Sequence, residues 1–292
     1  MPLSESRNPE LIPELLYVDA GDLRFAVWEW PGEGPPLLFA HATGFHGRCW
    51  DQIIRQLPRG RRCLAPEARG HGRSSKPSPP YNWPAFGLDL VRIAEHLNIS
   101  EAIGIGHSMG GHTVTSAAAL RPATFSKLLL LDPTIRRSDI YGTAPLDAGF
   151  IRKRRLRWPS PAAMLDSFCG RPPFDRWQPA VLRDYCDYGL LPQGDEYLLA
   201  CPPEAEASVY ECSRKAEANL HSVIPSIAQP VTVLRAGAMG KPLFSDDPSP
   251  SPTDPELAFL FRRGRDVLLP QHSHYIPMED PDLVAQQICG ML

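Results

Sequence analysis

The chain has 292 residues, of which 43% are hydrophobic, 9% aromatic and 22% charged. These are the proportions of a soluble globular protein, with room for one large α/β domain or a core plus a smaller insertion. The formal net charge of −3 and a pI near 6.3 give no electrostatic reason to expect a nucleic acid or an anionic membrane as partner. No apolar run approaches the roughly 20 residues that span a bilayer, and the stretch MPLSESRNPELIPELL lacks the charged head and continuous apolar run of a signal peptide. The seven cysteines are odd in number, widely spaced and without a CxxC pair. Free thiols in a cytoplasmic protein are therefore expected, and no metal site.

Residues 15–30 (LLYVDAGDLRFAVWEW) alternate as two strands of a hairpin turning at Ala20-Gly21-Asp22. PLLFA at 36–40 is a short, wholly apolar run, as for a strand buried on both faces of a parallel sheet. Helical spacing follows at 47–57, with Trp50, Ile53, Ile54 and Leu57 on one face. A brief strand at 62–65 and an amphipathic helix at 83–97 come next, the latter starting at Trp83-Pro84, where proline is tolerated. A third buried strand, AIGIG at 102–106, leads into a small-residue helix at 109–120. A fourth, KLLLL at 127–131, ends at Asp132-Pro133. This alternation predicts βαβ units and a mostly parallel, doubly wound α/β sheet. Over residues 135–225 short helical stretches alternate with proline breaks and no clear strand is evident. Strand character returns at 231–235 and 266–269, and a last helix is expected over 282–289.

Residues 106–110 read Gly-His-Ser-Met-Gly at the junction of a predicted strand and a predicted helix. A nucleophile on such a sharp turn needs small neighbours, supplied here by Gly106 and Gly110. The helix N-terminus brings free N–H groups and its positive dipole end to the same place. Ser108 is thus the candidate nucleophile.

With GHSMGG at 106–111, three further segments make the chain resemble the α/β-hydrolase superfamily. HATGF at 41–45, after a buried strand, is similar to the family's oxyanion loop. EARGHGRS at 67–74 resembles its Asp-x-Arg-Gly-x-Gly-x-Ser turn, with Glu67 in place of the aspartate. SHYIPMEDP at 273–281 resembles the stretch that carries the catalytic histidine, with Ser273 in place of glycine. The resemblance implies a hydrolase core at 1–134 and 226–292 and a helical cap at 135–225. It implies His274 as general base, with His272 the alternative. The oxyanion donors would be the backbone N–H groups of Met109 and of Thr43, with Ala42 next. The family acid most often follows the strand at 231–235, but the chain there reads Ala-Gly-Ala-Met-Gly. Asp132, at the end of the strand after the nucleophile helix, is the expected acid, and Asp246 or Asp247 the alternative, with Asp254 further on. Several aromatic residues of the insertion, among them Trp158, Phe168, Trp177 and Tyr185, are candidates either for a pocket wall or for the insertion's own core. The basic run at 152–157 is read as a solvated helix face.

The implied activity is cleavage of an ester or lactone of a small molecule through an acyl-enzyme on Ser108, without metal or organic cofactor. Carbon–carbon bond hydrolases and cofactor-free haloperoxidases use similar constellations, and a non-catalytic small-molecule receptor on the same fold is the reading from a different class.

Overall fold

A computed structural model of the chain describes residues 11–237 and 250–292. In chain order the strands are β1 (Glu14–Ala20), β2 (Leu23–Trp30), β3 (Glu33–Ala40), β4 (Arg61–Pro66), β5 (Ala102–His107), β6 (Phe125–Leu131), β7 (Arg157–Trp158), β8 (Leu190–Gln193), β9 (Glu196–Leu199), β10 (Val231–Ala236) and β11 (Gly264–Leu269). The helices are α1 (Asp51–Ile54), α2 (Pro84–His96), α3 (Met109–Leu120), α4 (Gly149–Arg152), α5 (Pro161–Phe168), α6 (Pro179–Tyr188), α7 (Pro203–Cys212), α8 (Leu257–Leu260), α9 (Ile276–Glu279) and α10 (Pro281–Cys289), with short 3₁₀ turns between them.

Eight strands form one sheet in the order β1-β2-β4-β3-β5-β6-β10-β11. The pairs β1–β2 and β2–β4 are antiparallel, and all others are parallel. The apolar runs of the sequence are explained by burial on both faces. Leu128 and Leu130 pack into one core layer with Leu90, Ile93 and Val114 from α2 and α3. Leu129 and Leu131 point the other way, into a layer with Trp50, Ile53, Val284 and Ile288. This is the period-2 alternation of a strand with helices on either side.

The strand order reverses at β3, which pairs with β4 on one side and β5 on the other. In open α/β sheets the crevice at the carboxyl ends of such a pair is where ligands sit. The loop after β3 and the turn after β5 both open there.

Two segments depart from the sequence reading. The expected helix at 47–57 is a 3₁₀ turn over Gly47–Trp50 followed by the single α-turn of α1. The region 135–225 is not purely helical: β7, β9 and β8 form a small antiparallel sheet, with two residue pairs joining β7 to β9 and four joining β8 to β9. Strands this short carry too little alternation to register as a pattern.

Candidate active site

Ser108 stands alone between β5 and α3, with φ 57° and ψ −119°. A non-glycine residue rarely adopts this backbone, and it is held here by its surroundings. The Ser108 N–H donates to the Leu131 carbonyl at 3.1 Å, and its own carbonyl accepts from Thr134 N–H at 2.9 Å. The turn is also crowded. A Cβ at Gly106 would lie 2.4 Å from the Gly110 carbonyl oxygen, and one at Gly110 would lie 2.0 Å from that of Ala40. Only glycine lets α3 start this close to β3.

His274 lies in the loop between β11 and α9. Its Nδ1 is 2.6 Å from Asp132 Oδ2 and its Nε2 is 2.9 Å from Ser108 Oγ. An ionised carboxylate only accepts, so the proton between them sits on Nδ1 and Nε2 is left bare for the serine hydroxyl. Asp132 is fully buried and follows β6 with φ 42°. Its other oxygen, Oδ1, accepts from Ala236 N–H at 2.9 Å, Ser251 Oγ–H at 2.6 Å and, at 3.1 Å, from a Thr253 Oγ1–H shared with the nearer Pro133 carbonyl at 2.7 Å. The chain after β10, where an acid was first looked for, thus supplies donors to Asp132. Asp246 and Asp247 lie outside the described residues. Asp254 is engaged elsewhere, 3.4 Å from His221 Nε2.

The loop carrying His274 is pinned from several sides. His107 Nε2–H donates to the His274 carbonyl at 2.8 Å. Ser273 donates to Glu279 through its N–H at 3.0 Å and its hydroxyl at 2.6 Å. Glu279 is in turn paired with Arg176 of the insertion at 2.8 Å. His272 lies 3.3 Å from Asp280 and makes no contact with Ser108.

After β3, the N–H of Thr43 donates to no acceptor among the described residues, and neither does the N–H of Met109 at the start of α3. The neighbouring backbone is fixed by two reciprocal imidazole bonds. His41 Nε2 accepts from Ala68 N–H, and His71 Nε2 accepts from Gly44 N–H, each at 3.0 Å. Each histidine donates its Nδ1–H to a carbonyl, of Ala42 at 2.8 Å and of Arg69 at 2.9 Å. Burial holds His41 at a pKa of about 4 and His71 at about 3, so both rings are neutral and can accept these bonds. Glu67, in the place of the usual aspartate, accepts from Trp28 Nε1–H at 2.9 Å and Arg73 N–H at 2.5 Å. Its burial pushes the carboxyl above the usual range.

A cavity of about 280 Å³ opens beside Ser108 and His274, with Thr43, Trp83, Thr134 and Arg136 among its walls. Trp158, Phe168, Trp177 and Tyr185 do not line it; the aromatic residues the insertion contributes to its walls are Phe150 and Tyr210. Trp158, Trp177 and Tyr185 form a separate cluster that packs on Phe45 and Tyr275. Phe168 stacks on Phe174 at 4.3 Å in the same cluster. The basic run is exposed except at Arg154, as expected, but it is not one helix face, since α4 ends at Arg152 and Arg157 begins β7. Arg154 is paired with Glu206 and bonded to Tyr185 Oη at 3.0 Å, Arg152 bridges Glu204 and Glu211, and Arg157 meets Glu196.

Thr134 was not anticipated. Its Oγ1 lies 3.1 Å from Ser108 Oγ. The serine's one proton points to His274, so the threonine is the donor. The segment Asp132-Pro133-Thr134-Ile135-Arg136 therefore serves the site at every second residue. The only signal for this in the sequence was its position directly after the strand that follows the nucleophile helix.

The model of the Alpha/beta hydrolase family matches residues 37–287. The chain belongs to that family. Among curated relatives of this hydrolase, a non-heme chloroperoxidase of Streptomyces lividans is 33% identical over 126 residues, 41% of this chain and 45% of the relative. An sn-1-specific diacylglycerol lipase of Xenopus laevis is 33% identical over 113 residues, 38% of this chain and 36% of the relative. The chain thus spans less than half the length of either. Among solved structures, E-2-(acetamidomethylene)succinate hydrolase superposes with a TM-score of 0.75 at 20% identity, covering 95% of this chain and 98% of that one. An enol-lactonase from Burkholderia xenovorans gives 0.67 at 21% identity, covering 94% and 98%. At these identities the likeness is one of fold. Among the described residues, no helix is long and apolar enough to cross a membrane, and the seven cysteines are free thiols.

Proposed function

We propose that this hydrolase cleaves an ester or lactone of a small organic substrate through an acyl-enzyme on Ser108. The observation that carries the reading is the unbroken hydrogen-bond chain from Ser108 Oγ through His274 to Asp132, at 2.9 and 2.6 Å, opening on a cavity. As Ser108 Oγ attacks the carbonyl carbon, its proton passes to His274 Nε2. Asp132 holds the imidazole in the right tautomer and stabilises the imidazolium. The Met109 and Thr43 N–H groups receive the oxyanion. His274 then protonates the leaving alkoxide, and a water activated by the same nitrogen hydrolyses the acyl-enzyme. Every atom in this sequence is supplied by substrate, water and side chains. Residues 135–225 act as a cap over the nucleophile, and the free thiols suit a reducing cytoplasm.

The haloperoxidases among the relatives favour one second reading, a cofactor-free haloperoxidase using the same serine. Two assays test the proposal: fluorophosphonate labelling of Ser108, and a screen of p-nitrophenyl esters of graded chain length with a few lactones. Labelling with ester or lactone turnover supports it. Halogenation of a diketone by peroxide and halide, without ester turnover, favours the second reading. Ligand binding with no labelling would make the protein a receptor.

A further inference from the structure

Arg136 is the unexplained group in the cavity. It lines the same space as Ser108 and His274. Its backbone N–H donates to Tyr141 Oη at 3.0 Å, but its Nε is buried without a hydrogen-bond partner, and no carboxylate lies within ion-pair distance of the guanidinium among the described residues. A second arginine, Arg214, lies close enough to oppose its charge, and the Arg214 Nε is also buried without a partner. The other groups around Arg136 are the phenols of Tyr141 and Tyr210 and, further off, the Asp132 carboxylate, which His274 and three hydroxyl or amide donors already occupy. Asp147, on the same wall, is exposed, and its Oδ1 accepts from the Gly149 N–H.

Two neighbouring cations, one of them on the wall of a small cavity, are unfavourable unless an anion joins them. A buried charge without a partner is destabilising, and burial together with Arg214 lowers the pKa of Arg136. Elsewhere in the same insertion Arg152, Arg154 and Arg157 each have a carboxylate, while Arg155, Arg171 and Arg183, which have none among the described residues, are exposed to water. Arg136, by contrast, has its Nε buried without a partner on the wall of the cavity that holds Ser108.

We propose that Arg136, backed by Arg214, is a carboxylate subsite, so that the substrate is a small acid whose carboxylate lies a few bonds from the scissile carbonyl. This rests on the serine-hydrolase reading and narrows its substrate class. A guanidinium presents two parallel N–H donors that fit a planar carboxylate. The cavity of about 280 Å³ limits the occupant to small molecules, since such sites are commonly about 300–1,000 Å³.

The test compares two pairs of esters that differ by one carboxylate: mono-4-nitrophenyl glutarate against 4-nitrophenyl pentanoate, and 4-acetoxybutanoate against butyl acetate. In at least one pair the acid is expected to have the higher kcat/KM by about tenfold or more. Arg136→Met should lower that ratio at least tenfold, mostly through KM, and Arg136→Lys should restore part of it. Thermal unfolding checks that both variants fold. Glutarate and inorganic phosphate are also titrated into Ser108→Ala, which reads the subsite without turnover and independently of the Arg136 variants. Glutarate should bind more tightly. Neutral preference in both pairs, an unchanged ratio in a folded Arg136→Met protein, or tighter binding of phosphate would each overturn the carboxylate subsite. Absence of turnover and of fluorophosphonate labelling would instead overturn the hydrolase reading, and glutarate binding would still report on Arg136.

Discussion

Replacing Asp132 with asparagine exchanges one carboxylate oxygen for an amide nitrogen in a fully buried position. Three donors, Ala236 N–H, Ser251 Oγ–H and Thr253 Oγ1–H, converge on Oδ1 within 2.6–3.1 Å. They fix the amide's orientation, because the carbonyl oxygen must face them and the NH₂ must face His274. The NH₂ then donates to Nδ1, across the contact that is 2.6 Å in the native site. The imidazole is driven to carry its proton on Nε2, facing Ser108, where it can no longer accept one. A wrong tautomer in a triad of this kind costs about 10⁴ in kcat, so a loss of roughly 10³–10⁴ in kcat/KM is expected, or about 4–5 kcal/mol of transition-state stabilisation. Since the contacts to Oδ1 survive and the one to His274 is kept with its direction reversed, the unfolding midpoint should move little. The assay is hydrolysis of an activated ester by Asp132→Asn and Asp254→Asn, with urea unfolding of both. A loss below tenfold in a folded Asp132→Asn protein would refute the reasoning, as would a larger loss in Asp254→Asn.

Ser108→Ala should abolish fluorophosphonate labelling and lower kcat by 10³ or more, with native circular dichroism; wild-type-like turnover would count against the acyl-enzyme. His274→Ala should lose activity on the same scale while His272→Ala stays within about tenfold of the parent, and the reverse pattern would transfer the role of base to His272. Burial holds His41 and His71 at pKa values of about 4 and about 3. A histidine of the unfolded chain titrates near 6.5, so below that pH the unfolded state takes up protons that the folded state refuses. The stability these rings contribute is therefore complete above about pH 6.5 and is lost as pH falls toward 4, on the order of 3 kcal/mol per ring. Urea midpoints at pH 7.5, 6 and 5 should fall in sequence, less steeply in His71→Gln, and a flat profile would contradict the neutral-ring assignment.

The sheet and the turn that carries Ser108 were legible because both are local. Buried parallel strands are continuous apolar runs such as Leu128–Leu131, and the nucleophile turn writes its steric demand into Gly106 and Gly110. The placement of Asp132 opposite His274 was readable for a similar reason, since a strand end fixes where its next residue stands. The insertion was much less legible. Its sheet is built from strands of two and four residues, one containing Pro192, and local alternation cannot announce these. Its arginines gave no sign of their ion pairs because the partners, Glu204, Glu206 and Glu211, sit on α7, about 50 residues away in sequence but adjacent in space. The hydroxyls of Ser251 and Thr253 were hidden for the same reason. A serine or threonine in a proline-rich stretch carries no mark of the distant carboxylate it will meet.

The bond between Arg176 and Glu279 ties the insertion to the loop that aims the imidazole. Glu279 also receives both donors of Ser273, the residue before His274. Lifting the α5–α6 side of the insertion would therefore remove the counter-ion of the carboxylate that sets the imidazole, and would part Phe45 and Tyr275 from Tyr185 and Trp177. The α4 side carries no such tether to that loop among the described residues. Leu146, Asp147 and Phe150 border the cavity there, and Phe150 is 38% exposed. The two flanks thus differ in kind: the α5–α6 flank is held to the loop of His274, and the α4 flank is the side on which the cavity meets solvent.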